Sequence, residues 1–200
     1  MPAQSMRFGH FGINCFDVPK MEAFYTGVMG MVVADRGYRP PPIDLNIVFM
    51  TLDPSEHHQM ILCSGRTEGK IETGPFRGGG KGSAINQISF HYACLEDMRV
   101  AVARLARAGR NDGTPINHGN AWSVYIRDIE GNPMELYVDS PWYTPQPCGE
   151  PFDLSQPDAV ILRETEAMCR ARPGFEDAEV WRARLASKIN TALASRSALA

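Results

Sequence analysis

Four side chains that can bind a metal ion recur at equal spacing along the chain. His10 and His58 are 48 positions apart, and Gln87 and Glu135 are also 48 positions apart. One shift of 77 positions therefore maps the first pair onto the second. Imidazole, amide and carboxylate groups all serve as ligands of divalent cations. The spacing predicts that these residues occupy matching places in two copies of one unit.

Glu135 stands in a segment where a carboxylate is unusual. The segment "PMELYVD" alternates like a strand and follows the turn signal Gly131-Asn132. Strand interiors disfavour glutamate, and a half-buried carboxylate needs a partner that offsets its desolvation. A metal ion would be such a partner, and an ion pair with Arg127 is the alternative.

The two proposed units have the same order of elements, a strand, a helix and three strands. Their helices carry apolar residues at the same i, i+3, i+4 and i+7 positions. These residues are Met21, Phe24, Tyr25 and Val28 in one helix, and Met98, Ala101, Val102 and Leu105 in the other. The predicted fold class is therefore α+β, with two βαβββ modules that form a curled mixed sheet around a central cleft. The modules span about 7–65 and 84–143, joined by the glycine-rich segment 76–84.

Strand alternation predicts which side chains face the cleft. It puts His10 and Gln87 opposite the apolar face of the first strands, and it puts His58 and Glu135 on the same side of the last strands. We therefore expect the four polar groups to converge. His91 keeps the parity of Gln87 if its strand continues that far, which makes His91 an alternative ligand.

The composition excludes several classes of partner. Hydrophobic residues make up 44% and charged residues 22%, and the net charge is −3 without a basic block, so we expect no nucleic acid partner. No apolar run approaches the ~20 residues that span a bilayer, so we expect no membrane partner. The five cysteines are scattered without a CxxC pair, which favours a reducing, cytoplasmic location.

The predicted domain covers residues 7–143, and residues 144–200 form a predicted C-terminal extension. The extension begins with a stretch rich in proline and aromatic residues and continues with two amphipathic helices. The apolar stripes of these helices need a covering surface. Their own domain could supply it, or a second copy could, and we expect a homodimer.

The opening "HFGINCFDVPKMEAFYTGVMGM" and the closing "RDIEGNPMELYVD" resemble the vicinal oxygen chelate superfamily, which includes glyoxalase I, bleomycin-resistance proteins and type I extradiol dioxygenases. The resemblance implies metal ligands on the first and last strands of the modules, here His10, Gln87 and Glu135. His58 would then be a fourth ligand, as in glyoxalases, or an active-site acid/base.

Two further segments, "HHQMIL" and "HGNAWSVYIRD", resemble one-domain extradiol dioxygenases. Tyr125 matches the family tyrosine that hydrogen-bonds the substrate oxygen, and His118 would contact the substrate or only cap its turn. The chain departs from the pattern at Gln87, where these enzymes have a second histidine, and at Trp122, where some have another active-site histidine. Gln87 could therefore be a non-liganding residue.

The dioxygenase resemblance implies a ring-cleaving enzyme that takes a small catechol-like aromatic substrate and O₂, with Fe(II) as its metal. A glyoxalase-like lyase or isomerase with four ligands and Ni(II) or Zn(II) is the first alternative, and Mn(II) is a further candidate ion. A non-catalytic protein of the resistance type, which sequesters an aromatic ligand without metal, is the second.

Overall fold

A computed structural model describes residues 8–67 and 85–197, so the glycine-rich segment 76–84 lies outside the described residues. The chain forms two βαβββ units. The elements of the first unit are β1 (Phe11–Asn14), α1 (Val18–Gly27), β2 (Val32–Arg39), β3 (Leu45–Thr51) and β4 (Met60–Cys63). Those of the second are β5 (Ile88–His91), α2 (Leu95–Arg107), β6 (Thr114–Asn117), β7 (Ala121–Arg127) and β8 (Pro133–Asp139). The predicted α+β class is confirmed.

The short strand β9 (Trp142–Tyr143) ends the predicted domain, and the extension then contains the two predicted helices and two short strands. Its elements are β10 (Glu150–Pro151), α3 (Asp158–Arg170), β11 (Glu176–Asp177) and α4 (Ala178–Ser197). Helix α3 packs on the second unit, where Thr165 accepts hydrogen bonds from Trp122 Nε1 at 2.8 Å and Asn117 Nδ2 at 2.7 Å. Trp122 is therefore a buried core residue. Among the described residues, no helix is long and apolar enough to cross a membrane.

The first strand and the helix of each unit repeat as the sequence predicts. β1 and β5 begin 77 positions apart, and so do α1 and α2. Asp17 caps α1 by accepting a hydrogen bond from the backbone N–H of Lys20, and Pro19 stands in the first turn. Met21 and its counterpart Met98 are fully buried against the sheets. The shared helical periodicity thus reflects a shared core.

The two sheets have the same topology. The strand order is β1-β4-β3-β2 in the first sheet and β10-β6-β7-β8-β5 in the second. The first strand of each unit pairs in parallel with the last, and the neighbouring unit strands pair antiparallel. One face of each sheet is packed against the core. The opposite face of the second sheet carries polar side chains such as Ser89 and Glu135, whereas that of the first carries Ile47, Phe49 and Ile61.

The last strands do not keep the shift of 77. Phe11 lies opposite Met60 in the first sheet, whereas Ile88 lies opposite Met134 in the second. The structural counterpart of Glu135 is therefore Ile61, and the prediction that His58 lies on the last strand is wrong. His58 lies in the connection 52–59, which is longer than its counterpart 128–132. The extra residues place the histidine before the strand.

The turn between β7 and β8 ties the two units together. Glu130 accepts hydrogen bonds from the backbone N–H groups of Phe16 at 3.0 Å and Asp17 at 2.8 Å. Asp128, which is fully buried, accepts from the hydroxyl of Tyr25 at 2.9 Å. Burial raises the pKa of the Asp128 carboxyl. The hydrogen bonds to this turn therefore offset a desolvation cost while they orient the units.

Tyr25→Phe tests that link, because it removes a hydrogen bond to a buried carboxyl group and leaves the ring in place. We expect the free energy of unfolding to fall by about 1.5–3 kcal/mol, measured by urea denaturation. Tyr38→Phe is the matched control, since its hydroxyl hydrogen-bonds Asp44 at 2.7 Å on an exposed surface. Equal losses in the two variants would contradict a linking role for Asp128.

Candidate functional site

A polar cavity lies on the second sheet, on the face that points away from the core. Its volume is about 410 Å³. Its lining includes Ser89, His118, Tyr125, Glu135, Tyr137 and Gln146. All of these residues belong to the second unit or to the extension. Such a concentration of polar groups at one concave surface is typical of a binding or catalytic site.

Three hydrogen-bond donors surround the carboxylate of Glu135, which is only 9% exposed. Ser123 Oγ donates to Oε1 at 2.7 Å, and Gln87 Nε2 and Ser89 Oγ each donate to Oε2 at 2.7 Å. These bonds offset the desolvation of the carboxylate. Arg127 instead donates to the carbonyl of Gly131 at 2.9 Å, so the ion-pair alternative is wrong.

The strand register explains why these groups meet. Glu135 on β8 lies directly opposite Ser89 on β5 and opposite Tyr125 on β7. Gln87 and Ser123 stand two residues from those partners, so they face the same side of the sheet. The parallel pairing of β5 with β8 therefore brings Gln87 to Glu135.

His118 and Tyr125 form a second hydrogen-bonded pair in the same cavity. The distance between His118 Nε2 and the Tyr125 hydroxyl is 2.9 Å, and His118 Nδ1 contacts the backbone carbonyl of Cys148. A carbonyl can only accept, so Nδ1 carries a proton. In a neutral ring Nε2 is then the nitrogen that accepts from the Tyr125 hydroxyl. The ring thus lies in the cavity wall and does not cap its own turn.

His10 and His58 lie together on the first unit. Their ring centroids are 4.1 Å apart, and the His58 ring also lies 5.1 Å from that of Phe49. Burial, the neighbouring His10 and the adjacent His57 lower the pKa of His58. Within the described residues, neither His10 nor His58 makes a hydrogen bond or ion pair with Glu135.

His91 faces the same side as Gln87, as its parity predicts. Its ring stacks on Tyr137 at a centroid distance of 4.8 Å, and its Nε2 lies 3.6 Å from the carboxylate of Asp139. Burial is the main cause that raises the pKa of Tyr137. His91 therefore pairs with residues at the rim and does not replace Gln87 beside Glu135.

The predicted ligands are of chemical types that bind metal ions, but their side chains are not arranged around a common point as the ligands of a metal site would be. In the part of the chain that the structure describes, no three His, Cys, Asp or Glu side chains are grouped to hold a metal ion. The predicted set has only two such residues, since Gln87 supplies an amide. Its Nε2 faces Glu135, so the amide would have to turn Oε1 towards a cation. An imidazole, an amide and a carboxylate otherwise suit Fe(II), Mn(II) or Zn(II).

The family follows from the extent of the sequence match. The family model described as "Glyoxalase/Bleomycin resistance protein/Dioxygenase superfamily" matches residues 7–136. The chain belongs to this superfamily. The match begins before β1 and ends within β8, just after Glu135.

Two curated relatives of this superfamily member come from Rhodococcus globerulus. Biphenyl-2,3-diol 1,2-dioxygenase 3 is 29% identical over 134 residues, which cover 67% of this chain and 64% of the relative. The chain thus spans less than two thirds of that protein's length. Biphenyl-2,3-diol 1,2-dioxygenase 2 is 26% identical over 160 residues, which cover 74% of this chain and 77% of the relative.

Solved structures of the superfamily share the fold. A glyoxylase/bleomycin resistance protein/dioxygenase domain from Frankia sp. EAN1pec has a TM-score of 0.55 and 19% identity, and the match covers 68% of this chain and 99% of that domain. The fosfomycin resistance protein FosX from Listeria monocytogenes, solved with Mn(II), has a TM-score of 0.50 and 14% identity, with coverage of 67% and 93%. At these identities the likeness supports the fold alone.

Sequence reasoning missed the hydroxyl donors of Glu135 and the groups that hold His118. Ser123 stands two residues before Tyr125 and Ser89 two after Gln87, so parity could have found both. Gln146 and the carbonyl of Cys148 lie in the extension. Nothing in the local sequence pairs them with a loop some 30 residues earlier.

Ser123→Ala tests whether Glu135 depends on its donors. Loss of a buried hydrogen bond to a carboxylate should lower the free energy of unfolding by about 1.5–3 kcal/mol in urea denaturation. Ser155→Ala is the matched control, because Ser155 donates to Asp153 at the same 2.7 Å but in an exposed turn. An unchanged stability of Ser123→Ala would show that the carboxylate has another partner.

Proposed function

We propose that the protein is a metal-dependent dioxygenase that cleaves the ring of a catechol-type substrate in the extradiol manner. The carrying observation is the strand register that sets Tyr125 directly opposite Glu135 in a cavity shared with His118. The two curated relatives support the proposal, because both are named as dioxygenases of an aromatic diol. The substrate proposed here is a small catechol-like aromatic, with O₂ as co-substrate.

His10, Gln87 and Glu135 are the proposed metal ligands. A divalent ion held by them, Fe(II) by preference and Mn(II), Ni(II) or Zn(II) as alternatives, would supply Lewis-acid and electron-transfer chemistry to two neighbouring substrate oxygens. Ser89 and Ser123 would hold the Glu135 carboxylate in one orientation. The amide of Gln87 is a weaker donor than imidazole, so we expect a lower metal affinity than a two-histidine site would have.

Tyr125 and His118 are the proposed substrate-contacting pair. The Tyr125 hydroxyl would hydrogen-bond a substrate oxygen, and His118 Nε2 is placed to accept the phenolic proton when the hydroxyl accepts one from the substrate. His58 remains the proposed acid/base on the side of the first unit, where it lies beside His10.

A specific observation favours a second candidate, a metal-free protein that sequesters an aromatic ligand. Both oxygens of Glu135 already accept hydrogen bonds within the protein. A glyoxalase-like reaction with four ligands has less support, because the strand position equivalent to Glu135 in the first unit is Ile61. An isoleucine cannot bind a cation.

We also propose a homodimer. On α4, Val180 is 58% exposed, Leu185 is 38% exposed and Ile189 is 51% exposed. A second copy could cover these apolar side chains. Sedimentation velocity should show a dimer of the 22.1 kDa chain, and a monomer at micromolar concentration would contradict the assignment.

Metal content is the first test of the proposed reaction. Protein purified without oxygen and loaded with Fe(II) should bind about one ion per chain and consume O₂ with a member of a catechol panel. Glu135→Ala should reduce bound metal at least about 10-fold, because it removes the one charged ligand. Glu96→Ala, which changes an exposed carboxylate on α2, should keep full occupancy.

The outcomes separate the candidate functions. Bound metal with O₂ uptake supports the dioxygenase, and bound metal without O₂ uptake favours a lyase or isomerase. Catechol binding that is indifferent to added Fe(II) favours the sequestering protein. Full metal occupancy in Glu135→Ala would show that the ligand assignment is wrong.

Tyr125→Phe tests the proposed substrate contact. If the hydroxyl takes part in proton transfer, kcat should fall about 100-fold while KM changes little. Tyr143→Phe is the control, since Tyr143 stacks on Trp181 of α4 and does not line the cavity. Equal kcat values for Tyr125→Phe and the unaltered protein would remove Tyr125 from the mechanism.

A further inference from the structure

We propose that the C-terminal extension positions His118. Gln146 and the backbone carbonyl of Cys148 hold its ring in the tautomer that carries the proton on Nδ1, so that Nε2 accepts a hydrogen bond from Tyr125. Both residues lie beyond residues 7–136, which the family model matches. The consequence for turnover rests on the proposed function. The tautomer of His118 is a property of the protein that can be measured without any substrate.

The extension packs tightly on the loop that carries His118. Gly119 follows the histidine with φ of +78°, a conformation that residues other than glycine rarely adopt. A Cβ atom at Gly119 would lie 2.5 Å from Thr144 Cγ2 and 3.0 Å from Cys169 Sγ. The hydroxyl of Ser140 donates to the carbonyl of Gly119. The loop therefore has little room to shift while the extension is in place.

The side chain of Gln146 connects the backbone of His118 with the backbone of Cys148. Its Nε2 donates to the carbonyl of His118 at 2.8 Å, and its Oε1 accepts from the backbone N–H of Cys148 at 2.9 Å. Nε2 also lies 3.1 Å from Oδ1 of Asn120 in the same loop. Gln146 thereby fixes the distance between the His118 loop and the peptide of Cys148.

The Cys148 carbonyl then decides which ring nitrogen of His118 carries the proton. Cys148 is only 7% exposed, so the alternative tautomer would deprive a largely buried carbonyl of its donor. That tautomer would also turn Nε2 from an acceptor into a donor facing Tyr125. If His118 takes a proton from Tyr125, the Nδ1–H bond to the carbonyl remains in place.

Nitrogen-15 NMR of the full-length protein with labelled histidine tests the proposal. Long-range proton–nitrogen correlations distinguish the two neutral tautomers, and His118→Asn assigns the signals of His118 among the five histidines. We expect neutral His118 to carry its proton on Nδ1. Exposed neutral imidazole side chains in water favour the proton on Nε2. The tautomer that we expect for His118 is therefore the opposite of the one favoured in water.

Gln146→Met keeps the length of the side chain and removes its hydrogen bonds to His118, Asn120, Thr144 and Cys148. We expect a new population with the proton on Nε2, and with a catechol substrate a fall in kcat of about 10-fold at nearly constant KM. Gln156→Met is the matched control, because Gln156 lies in the same extension and hydrogen-bonds Asp153 instead. Its spectrum and kcat should match those of the unaltered protein.

Two results would overturn the proposal: neutral His118 with its proton on Nε2 in the unaltered protein, or identical His118 signals in Gln146→Met and the unaltered protein. A shifted tautomer together with no catechol turnover in any variant would support the positioning role and reject the proposed reaction. Failure of the positioning role and failure of the proposed function are therefore distinguishable.

Discussion

The buried carboxylate of Glu135 is the constraint on which the rest of the site depends. A charge in the middle of a sheet has to be compensated, and here the two neighbouring strands contribute to that compensation. β5 brings Ser89 and the preceding Gln87, β7 brings Ser123, and all three side chains donate to the two carboxylate oxygens. A register shift of one residue in either strand would turn these donors towards the core. The polar site and the apolar core are thus specified by the same pairing.

The part of the fold that follows from side-chain periodicity was predictable from the sequence. The helical repeat at Met21 and Met98 identified both units, because buried positions must recur with the helical period. The position of His58 could not be predicted from the sequence, because equal sequence spacing does not imply equal turn length. The longer connection before β4 leaves Ile61 where the spacing had placed a histidine. Strand register is a property of paired segments, which a single segment does not specify.

Only those residues of the candidate site that lie on strands could be predicted from strand parity. Parity put Gln87 on the same face as Glu135, and the two side chains are hydrogen-bonded. The family resemblance pointed to Tyr125, which the register places opposite Glu135. The partner of His118 is a backbone carbonyl, and a backbone group has no sequence signature. The extension that supplies this carbonyl lies outside residues 7–136, which the family model matches. On a shared fold, chemistry is set by the groups of the individual site.

We propose that His10, Gln87 and Glu135 bind one cation together. The most direct measurement is anomalous X-ray diffraction from crystals of the full chain grown with Mn(II). We expect one strong anomalous peak within coordination distance of the carboxylate of Glu135, the amide oxygen of Gln87 and the ring of His10. Absence of a peak at Glu135, or a peak held only by His10 and the neighbouring His57 and His58, would contradict the proposal.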